Sequence, residues 1–325
     1  MKTLVEKFPL QLSEALAIAD STHIQSEANF HNVVISGLGG SGIGGTLIAE
    51  LALSGAKIPI SVNKQYDLPS FVNEKTLVII SSYSGNTEET LAAMQESIKR
   101  NATVVCITSG GKIKDLAKKE KKEWIEVPGG FPPRSCLGYS LVQILHILET
   151  KNIFHSRFKS QIKEGIALLQ NELPIIQLEA QKVAEKLHCK TPVIYSLGTT
   201  EGIAIRFRQQ LNENSKLLCW HHVIPEMNHN ELVGWTEKND KLAVCILRTD
   251  FDHPRNVMRL EINKQIISKC TPNLIEICGH GSTPLIQMLY LIHLTDWVSC
   301  YLADLQNIDP VEVKVIDFLK NELSK

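Results

Sequence analysis

The chain has 325 residues, which at roughly 150 residues per domain is the length of two domains. Hydrophobic residues make up 43% of it and charged residues 21%, proportions of a folded globular protein that exclude wholesale disorder. Lysine and arginine total 34 and aspartate and glutamate total 35, so the formal net charge is −1. This balance gives the chain no overall electrostatic reason to bind nucleic acid.

The N-terminal stretch Met1–Asp20 predicts an amphipathic helix, because Glu6 and Glu14 interrupt its apolar residues. Such interruptions are not typical of a signal peptide. The longest apolar stretch, Leu285–Leu305, contains two aspartates and a histidine and predicts a buried helix. We therefore expect neither a membrane-spanning segment nor a membrane partner.

Short apolar runs alternate along the chain with longer segments of helical periodicity, such as Glu201–Asn214 and Val257–Cys270. Strands are predicted at Asn32–Gly37, Ile58–Asn63, Leu77–Ser82, Thr103–Ser109, Pro192–Gly198, Lys241–Thr249 and Asn273–Gly281. Continuous apolar strands joined by helices indicate parallel sheets covered on both faces. The predicted fold is α/β, with two doubly wound, flavodoxin-like domains that span residues 1–152 and 153–325.

The eight cysteines form no CxxC pair, and several of them, such as Cys106 and Cys245, lie inside predicted strands. A disulfide framework is improbable for a chain of this length and spacing. Buried, reduced thiols are typical of a cytoplasmic protein.

A glycine-rich turn follows the first predicted strand and precedes a helix. Its glycines let an anionic ligand approach backbone N–H groups at the positive end of that helix. Gly37, Gly39 and Gly42 match the GxGxxG dinucleotide fingerprint, but the next strand ends in Asn63-Lys64-Gln65 rather than in a carboxylate. Lys64 suits a 2′-phosphate, so an NADP-dependent oxidoreductase is one alternative. A tight turn without a ligand is another.

A loop rich in hydroxyl groups follows the Leu77–Ser82 strand. Ser82, Ser84 and Thr87 can surround a phosphate at a helix N-terminus, and Gly85 lets the chain bend. Asn86 or Thr87 is also expected to cap the following helix. Capping requires a single side chain, and the remaining hydroxyls favour a phosphate site.

Two of these segments, Gly39-Gly40-Ser41 and Ser82-x-Ser84-Gly85-Asn86-Thr87, resemble the sugar isomerase (SIS) domain, an α/β fold that binds phosphosugars. Two later segments, Asn212–Lys216 and Pro225–Trp235, resemble the archaeal and bacterial bifunctional phosphoglucose/phosphomannose isomerases. The resemblance spans both predicted domains. It implies that the substrate phosphate is held by Gly39, Gly40, Ser41, Ser82, Ser84 and Thr87.

The resemblance also implies catalytic roles. Glu213 matches the base that moves a proton between C1 and C2, and Arg134, the one cation of a proline-rich loop, matches the arginine that stabilises the enediolate. His229 matches a ring-opening acid/base that enters the site from the other subunit, which implies a homodimer. A lysine near the C-terminus matches best at Lys320, with Lys314 as the competing assignment.

One departure from the family pattern concerns a hydroxyl residue one or two turns before that lysine. Val311 or Val313 occupies the position here, which leaves the details of ring opening open. A metal site near His229 is not expected, because His221, His222, Glu226 and Glu231 lack a regular ligand spacing.

We therefore expect an enzyme that interconverts glucose 6-phosphate, mannose 6-phosphate or both with fructose 6-phosphate through a cis-enediolate. It needs neither a cofactor nor a metal. The alternative from the same resemblance is a non-catalytic SIS regulator that binds phosphosugars. Such regulators often add a basic DNA-binding module, which is not evident in this neutral chain.

Overall fold

The computed structural model of the protein describes residues 1–26, 29–155 and 157–323. The chain divides into two compact units. The first unit is formed by Glu6–Gln170, and the second by Met1–Val5 together with Asn171–Lys325. The domain division predicted from the sequence, between residues 152 and 153, stays a prediction.

The chain begins with helix α1 (Lys2–Glu6), and the first unit is built on a parallel sheet. Its strands are β1 (Asn32–Ser36), β2 (Ile60–Asn63), β3 (Thr76–Ser81), β4 (Thr103–Thr108) and β5 (Glu123–Glu126). Its helices are α2 (Phe8–Ser21), α3 (Gly39–Ala52), α4 (Glu88–Lys99), α5 (Gly111–Lys119), α6 (Leu137–Thr150) and α7 (Phe158–Asn171). The strand order β2-β1-β3-β4-β5 is the flavodoxin-like order.

The central strands of this sheet form the core of the first unit. Every residue of β3 is buried, and its neighbours pair with it in parallel, with Val33 of β1 opposite Leu77. Val78 and Ile80 point into a cluster that Met94 of α4 and Ile113 of α5 complete. Helices therefore cover the apolar strands, as a parallel sheet requires.

The second unit is built on a smaller parallel sheet. Its strands are β6 (Thr191–Leu197), β7 (Trp220–Ile224), β8 (Leu242–Arg248) and β9 (Leu274–Cys278), in the order β7-β6-β8-β9. Its further helices are α8 (Leu173–Leu187), α9 (Glu201–Asn214), α10 (Pro254–Ile267), α11 (Pro284–Leu305) and α12 (Lys314–Leu323). Helix α11 is buried along almost its whole length and packs against α8 and α9.

The predicted fold class is confirmed, since both sheets are parallel and flanked by helices. The buried helix expected at Leu285–Leu305 is α11. The N-terminal helix differs from the prediction, because it is interrupted at Lys7 and resumes as α2 with Pro9 in its first turn. Proline is favoured there because it lacks the N–H that a helix start leaves unpaired. In the described part of the chain, no helix is both long and apolar enough to span a bilayer.

Candidate functional site

The glycine-rich turn joins β1 to α3 and approaches other backbone closely. Gly39 begins α3 with a φ of +52°, and a Cβ atom on Gly40 would lie 2.8 Å from the N and Cα atoms of Arg134. A Cβ atom on Gly42 would lie 2.3 Å from the carbonyl oxygen of Gly37. These close approaches of backbone to backbone account for glycine in the turn, so the glycines do not require a bound dinucleotide as their explanation. They also show that the turn lies against the loop that carries Arg134.

The hydroxyl loop lies between β3 and α4. Ser82 is buried and donates a 3.2 Å hydrogen bond to the hydroxyl of Thr87, while the exposed Ser84 hydroxyl accepts one of 3.3 Å from the backbone N–H of Asn86. Gly85 turns the chain with a φ of +68°, and a Cβ atom there would lie 1.8 Å from the carbonyl oxygen of Gly110. The loop is thus held in shape by its own hydroxyl groups and by a glycine that no other residue can replace without displacing backbone.

The expected N-cap position of α4 is confirmed at Thr87, but the expected side-chain cap bond is not formed. Neither Thr87 nor Asn86 accepts a side-chain cap bond. The Thr87 hydroxyl accepts from Ser82, and the side-chain amide oxygen of Asn86 accepts from the N–H of Lys112 at 3.1 Å. In each case the side-chain oxygen that could cap the helix accepts a hydrogen bond from another part of the chain. The first N–H groups of α4 are consequently left without a side-chain cap, which suits an anionic ligand.

Ser41 joins the glycine-rich turn to the hydroxyl loop. Its hydroxyl accepts a 3.0 Å hydrogen bond from the backbone N–H of Tyr83, and its carbonyl accepts one of 3.2 Å from Ser81. The two segments therefore lie side by side at the carboxyl ends of the adjacent strands β1 and β3. This is the point where the strand order of the sheet reverses, the usual place for a ligand in an open α/β fold.

Tyr83 connects the hydroxyl loop to its surroundings, a role that the sequence analysis missed. Its phenolic oxygen accepts a 3.1 Å hydrogen bond from the N–H of Phe131, and its carbonyl accepts bonds from Ser109. Burial, with a hydrogen bond to Cys136, raises the pKa of Tyr83 above its ordinary value. The phenol is therefore neutral and holds the proline-rich loop in place. No local motif marks the residue in the sequence.

Arg134 lies in a short 3₁₀ turn, Pro133–Ser135, directly before α6. Only 4% of its surface is exposed, which is unusual for the lone cation of a loop. Its main chain contacts Gly40, so the structure brings Arg134 and the glycine-rich turn together. A cation and an uncapped helix start thus border the same end of the sheet.

Glu213 lies in the last turn of α9 in the second unit and is partly buried. Its carbonyl oxygen accepts from the ammonium group of Lys216 at 2.6 Å. The adjacent residues bind α11, because Asn214 donates to the hydroxyl of Ser299 at 2.9 Å and Ser215 donates to the Ser299 carbonyl at 2.7 Å. The backbone that carries Glu213 is therefore fixed on its C-terminal side by buried hydrogen bonds.

A buried ion pair fixes α9 about two turns before Glu213. The Nη2 atom of Arg206 lies 2.5 Å from Oδ2 of Asp296 on α11. Burial raises the pKa of Asp296 from its ordinary value, while Arg206 and a hydrogen bond from Gln210 oppose that shift. Burial and the two partner groups therefore act on this carboxyl group in opposite directions. The pair adds a directional constraint to the apolar packing of the two helices.

His229 ends a 3₁₀ turn over Glu226–His229, and its side chain is exposed. The turn itself is anchored: Met227 is buried, and the amide of Asn228 donates to Asn263 at 2.8 Å. On the other side, Glu231 accepts hydrogen bonds from the phenol of Tyr195 and from the indole of Trp220. The fold therefore holds the loop and presents the imidazole outwards.

Lys320 lies in α12, of which no described residue is buried. Lys314, the competing assignment, forms a 2.8 Å ion pair with Glu312. Val311 and Val313, at the position expected to carry a hydroxyl group, precede this helix. Of the predicted site residues, the structure brings the six phosphate residues and Arg134 together in the first unit, whereas Glu213, His229 and Lys320 belong to the second unit.

Among residues 1–26, 29–155 and 157–323, no three His, Cys, Asp or Glu side chains are grouped so that they could hold a metal ion. His221 has a carboxylate neighbour, Glu201, at 3.6 Å. Burial lowers the pKa of His221, so the pair is a contact between a largely neutral imidazole and a carboxylate.

Two family models match the chain. The SIS domain matches residues 28–126, and the bacterial phospho-glucose isomerase C-terminal SIS domain matches residues 176–323. Among solved structures, the C-terminal domain of glucosamine-fructose-6-phosphate aminotransferase from Francisella tularensis aligns with a TM-score of 0.77 over 95% of this chain and 97% of that one. At 16% identity this similarity shows the fold alone.

Closer relatives are found among curated proteins. The bifunctional phosphoglucose/phosphomannose isomerase of Caldicellulosiruptor bescii is 40% identical and covers 99% of this chain and 98% of its own length. The enzyme of the same name from Aquifex aeolicus is 38% identical over 91% of each chain. The resemblance predicted from four short segments is thereby confirmed. The chain belongs to the bifunctional phosphoglucose/phosphomannose isomerase family and consists of SIS domains.

Proposed function

We propose that this protein interconverts glucose 6-phosphate and mannose 6-phosphate with fructose 6-phosphate. The observation that carries the proposal is the uncapped start of α4, which is surrounded by the hydroxyl groups of Ser82, Ser84 and Thr87 and lies next to the buried Arg134 loop. Such a site suits a sugar phosphate dianion. The family membership supports the same reaction.

In the proposed reaction Glu213 performs the proton transfer. The substrate phosphate is held by Gly39, Gly40, Ser41, Ser82, Ser84 and Thr87. The Glu213 carboxylate takes the proton from C2 of the open-chain aldose, and the electrons of that C–H bond form the C1–C2 double bond of a cis-enediolate. The π electrons of the C1 carbonyl move onto O1 in that step. Glu213 then returns the proton to C1, and the proton of the O2 hydroxyl passes to O1, so C1 is reduced while C2 is oxidised. No external oxidant or reductant is needed.

Negative charge develops on the substrate oxygens in this step. We assign its stabilisation to Arg134, because a buried guanidinium acts in a medium of low dielectric where charge–charge interactions are strong. His229 and Lys320 are assigned to opening of the sugar ring. The exposed position of His229 on an anchored loop supports its use by the other subunit of a homodimer. The free thiols of all eight cysteines support a cytoplasmic location.

A coupled assay tests the proposal directly. Purified protein is supplied with glucose 6-phosphate or mannose 6-phosphate, and fructose 6-phosphate is measured enzymatically. We expect turnover with both aldoses. Binding of either sugar phosphate without turnover would contradict the proposal and would favour a regulator that only binds phosphosugars.

Removing one hydroxyl from the loop is expected to weaken substrate binding. In Thr87→Val the hydroxyl that accepts from Ser82 is lost, along with one potential phosphate contact. A hydrogen bond to a charged group contributes about 1.5 kcal/mol or more, so KM should rise about tenfold with a smaller change in kcat. Steady-state kinetics with glucose 6-phosphate measures both.

Thr46→Val is the matched control for this substitution. The hydroxyl of Thr46, on α3 of the same unit, is buried and has no hydrogen-bond partner in the described structure. Its loss should leave KM unchanged. Equal KM values for Thr87→Val and Thr46→Val would show that the Thr87 hydroxyl does not bind the substrate phosphate.

Replacing Gly40 with alanine is expected to lower turnover by displacing Arg134. The added Cβ atom would lie 2.8 Å from the main chain of Arg134 and Pro133, so one backbone segment must move. A misplacement of about 1 Å in a reacting group can cost about 100-fold in rate. The measurement is kcat, compared with Gly129→Ala, whose Cβ atom would meet nothing closer than 3.4 Å. Similar kcat values for the two variants would show that the close contact has no catalytic importance.

A further inference from the structure

Gln11 connects helix α2 to the turn that carries Arg134. Its amide nitrogen donates a 2.8 Å hydrogen bond to the carbonyl oxygen of Ser135, and its amide oxygen accepts one of 2.7 Å from the N–H of Gly138. One side chain thus binds the last residue of the 3₁₀ turn and the first turn of α6. Only a carboxamide offers a donor and an acceptor in this arrangement.

The lack of a side chain at Gly138 leaves room for the Gln11 amide group. A Cβ atom on Gly138 would lie 2.6 Å from the amide oxygen of Gln11. The absence of a side chain at Gly138 therefore allows the glutamine to reach the backbone. The turn is also tied internally, because the hydroxyl of Ser135 donates to the carbonyl of Pro132 at 2.7 Å and the N–H of Cys136 donates to Pro133. It therefore moves as one piece.

Arg134 is held from two sides. Gly40 of the glycine-rich turn contacts its main chain, and Gln11 holds the carbonyl of the next residue. The contact with Gly40 is steric and prevents the 3₁₀ turn Pro133–Ser135 from moving closer to α3. The Gln11 bonds are attractive and prevent it from moving away, so the two together define the position of the main chain that carries Arg134.

We propose that Gln11 is a positioning residue that sets the place of Arg134 in the isomerase reaction. The inference rests on the proposed function, in which Arg134 stabilises the enediolate. Gln11 does not contact the six phosphate-binding residues in any described hydrogen bond. Its loss is therefore expected to lower kcat while leaving KM nearly unchanged.

Two variants separate the contributions of the two bonds. Gln11→Leu removes both, and we expect kcat to fall about 30-fold, within the range for a misplaced catalytic group. Gln11→Glu keeps the size and the acceptor for Gly138 but turns an oxygen towards the Ser135 carbonyl, so the donor bond is lost. A drop of about tenfold or more in kcat is expected for it.

Gln143→Leu is the matched control. The amide nitrogen of Gln143, on α6, donates a 2.8 Å bond to the carbonyl of Ala15 on α2, so it joins the same two helices without contacting the Arg134 turn. Its loss should lower the denaturation midpoint, because the bond to Ala15 is buried. Its kcat should remain within about twofold of the parent value if positioning, not general stability, accounts for the Gln11 effect.

A double-mutant cycle supplies a readout that a purely structural role would not change. In an Arg134→Met background, Gln11→Leu should lower kcat no further, because the group that it positions is already gone. Multiplicative effects of the two substitutions, or equal kcat values for Gln11→Leu and Gln143→Leu, would overturn the inference and leave the isomerase proposal intact. A parent protein without isomerase activity would overturn the proposed function and this inference with it.

Discussion

Replacing Glu213 with glutamine is expected to lower kcat by about 10²–10⁴-fold, the contribution of a positioned general base. Glutamine has the size of glutamate but cannot accept the C2 proton. The buried bonds of Asn214 and Ser215 to α11 do not involve the Glu213 side chain, so the fold should be retained. Steady-state turnover of glucose 6-phosphate and mannose 6-phosphate measures the effect, and the two aldoses should lose activity together.

Isotope exchange tests the role of Glu213 more sharply than turnover. In deuterium oxide the parent protein should exchange the C2 proton of glucose 6-phosphate, and the Glu213→Gln variant should not. Calorimetric binding of the matching alditol 6-phosphate, which cannot isomerise, should be unchanged. Glu185→Gln, at an exposed position on α8, is the control. Exchange by Glu213→Gln at the parent rate would show that another group moves the proton.

Replacing Arg134 with methionine is expected to lower kcat by about 10²–10³-fold, the usual loss when one stabilising donor for a developing oxyanion is removed. Methionine retains much of the volume of the buried side chain while the charge is lost. Arg134→Lys should lose less, because it keeps the charge without the planar guanidinium. KM should change little in either variant, since the phosphate is held by other residues.

The control for this substitution is Arg100→Met in the same unit. The guanidinium of Arg100 binds the carboxylate of Glu96 at 2.9 Å and the carbonyl of Pro69 at 2.8 Å, so its loss removes two polar contacts away from the site. Its kcat should equal that of the parent. If Arg134→Met and Arg100→Met retained equal activity, charge stabilisation by Arg134 would be refuted.

The central strands β1, β3, β4, β6 and β8 were predicted from continuous apolar runs. The edge strands β5 and β7 were not predicted, and the reason is visible in their residues. In β5 only Ile125 is buried, between the half-buried Trp124 and the exposed Glu126. In β7 only Ile224 is buried, at the end of a strand that begins with a tryptophan and two histidines. An edge strand is covered incompletely, so it needs neither an apolar run nor strict alternation.

The site residues show the same difference between local and tertiary information. The glycine-rich turn and the hydroxyl loop are each contiguous in sequence and lie at strand–helix junctions, so their spacing suffices to find them. Gln11 lies in the N-terminal helix and meets the Arg134 turn only because α2 packs against α6. A glutamine in an amphipathic helix gives no local signal of such a contact.

The side-chain cap bond expected at the start of α4 is not formed, for a related reason. Thr87 has the right residue type and the right position, but Ser82, five residues earlier, donates to its hydroxyl. Local rules describe what a side chain can do, and the folded neighbours decide which of those options is realised.

Helix α12 has a consequence for the interpretation of the two C-terminal lysines. Its apolar side chains remain largely exposed, with Val315 at 82% and Phe318 at 65%. Local opening of this segment would therefore cost little. A substitution at Lys314 or Lys320 removes no core contact, so a difference in turnover between the two variants would report chemistry at the lysine and not damage to the scaffold.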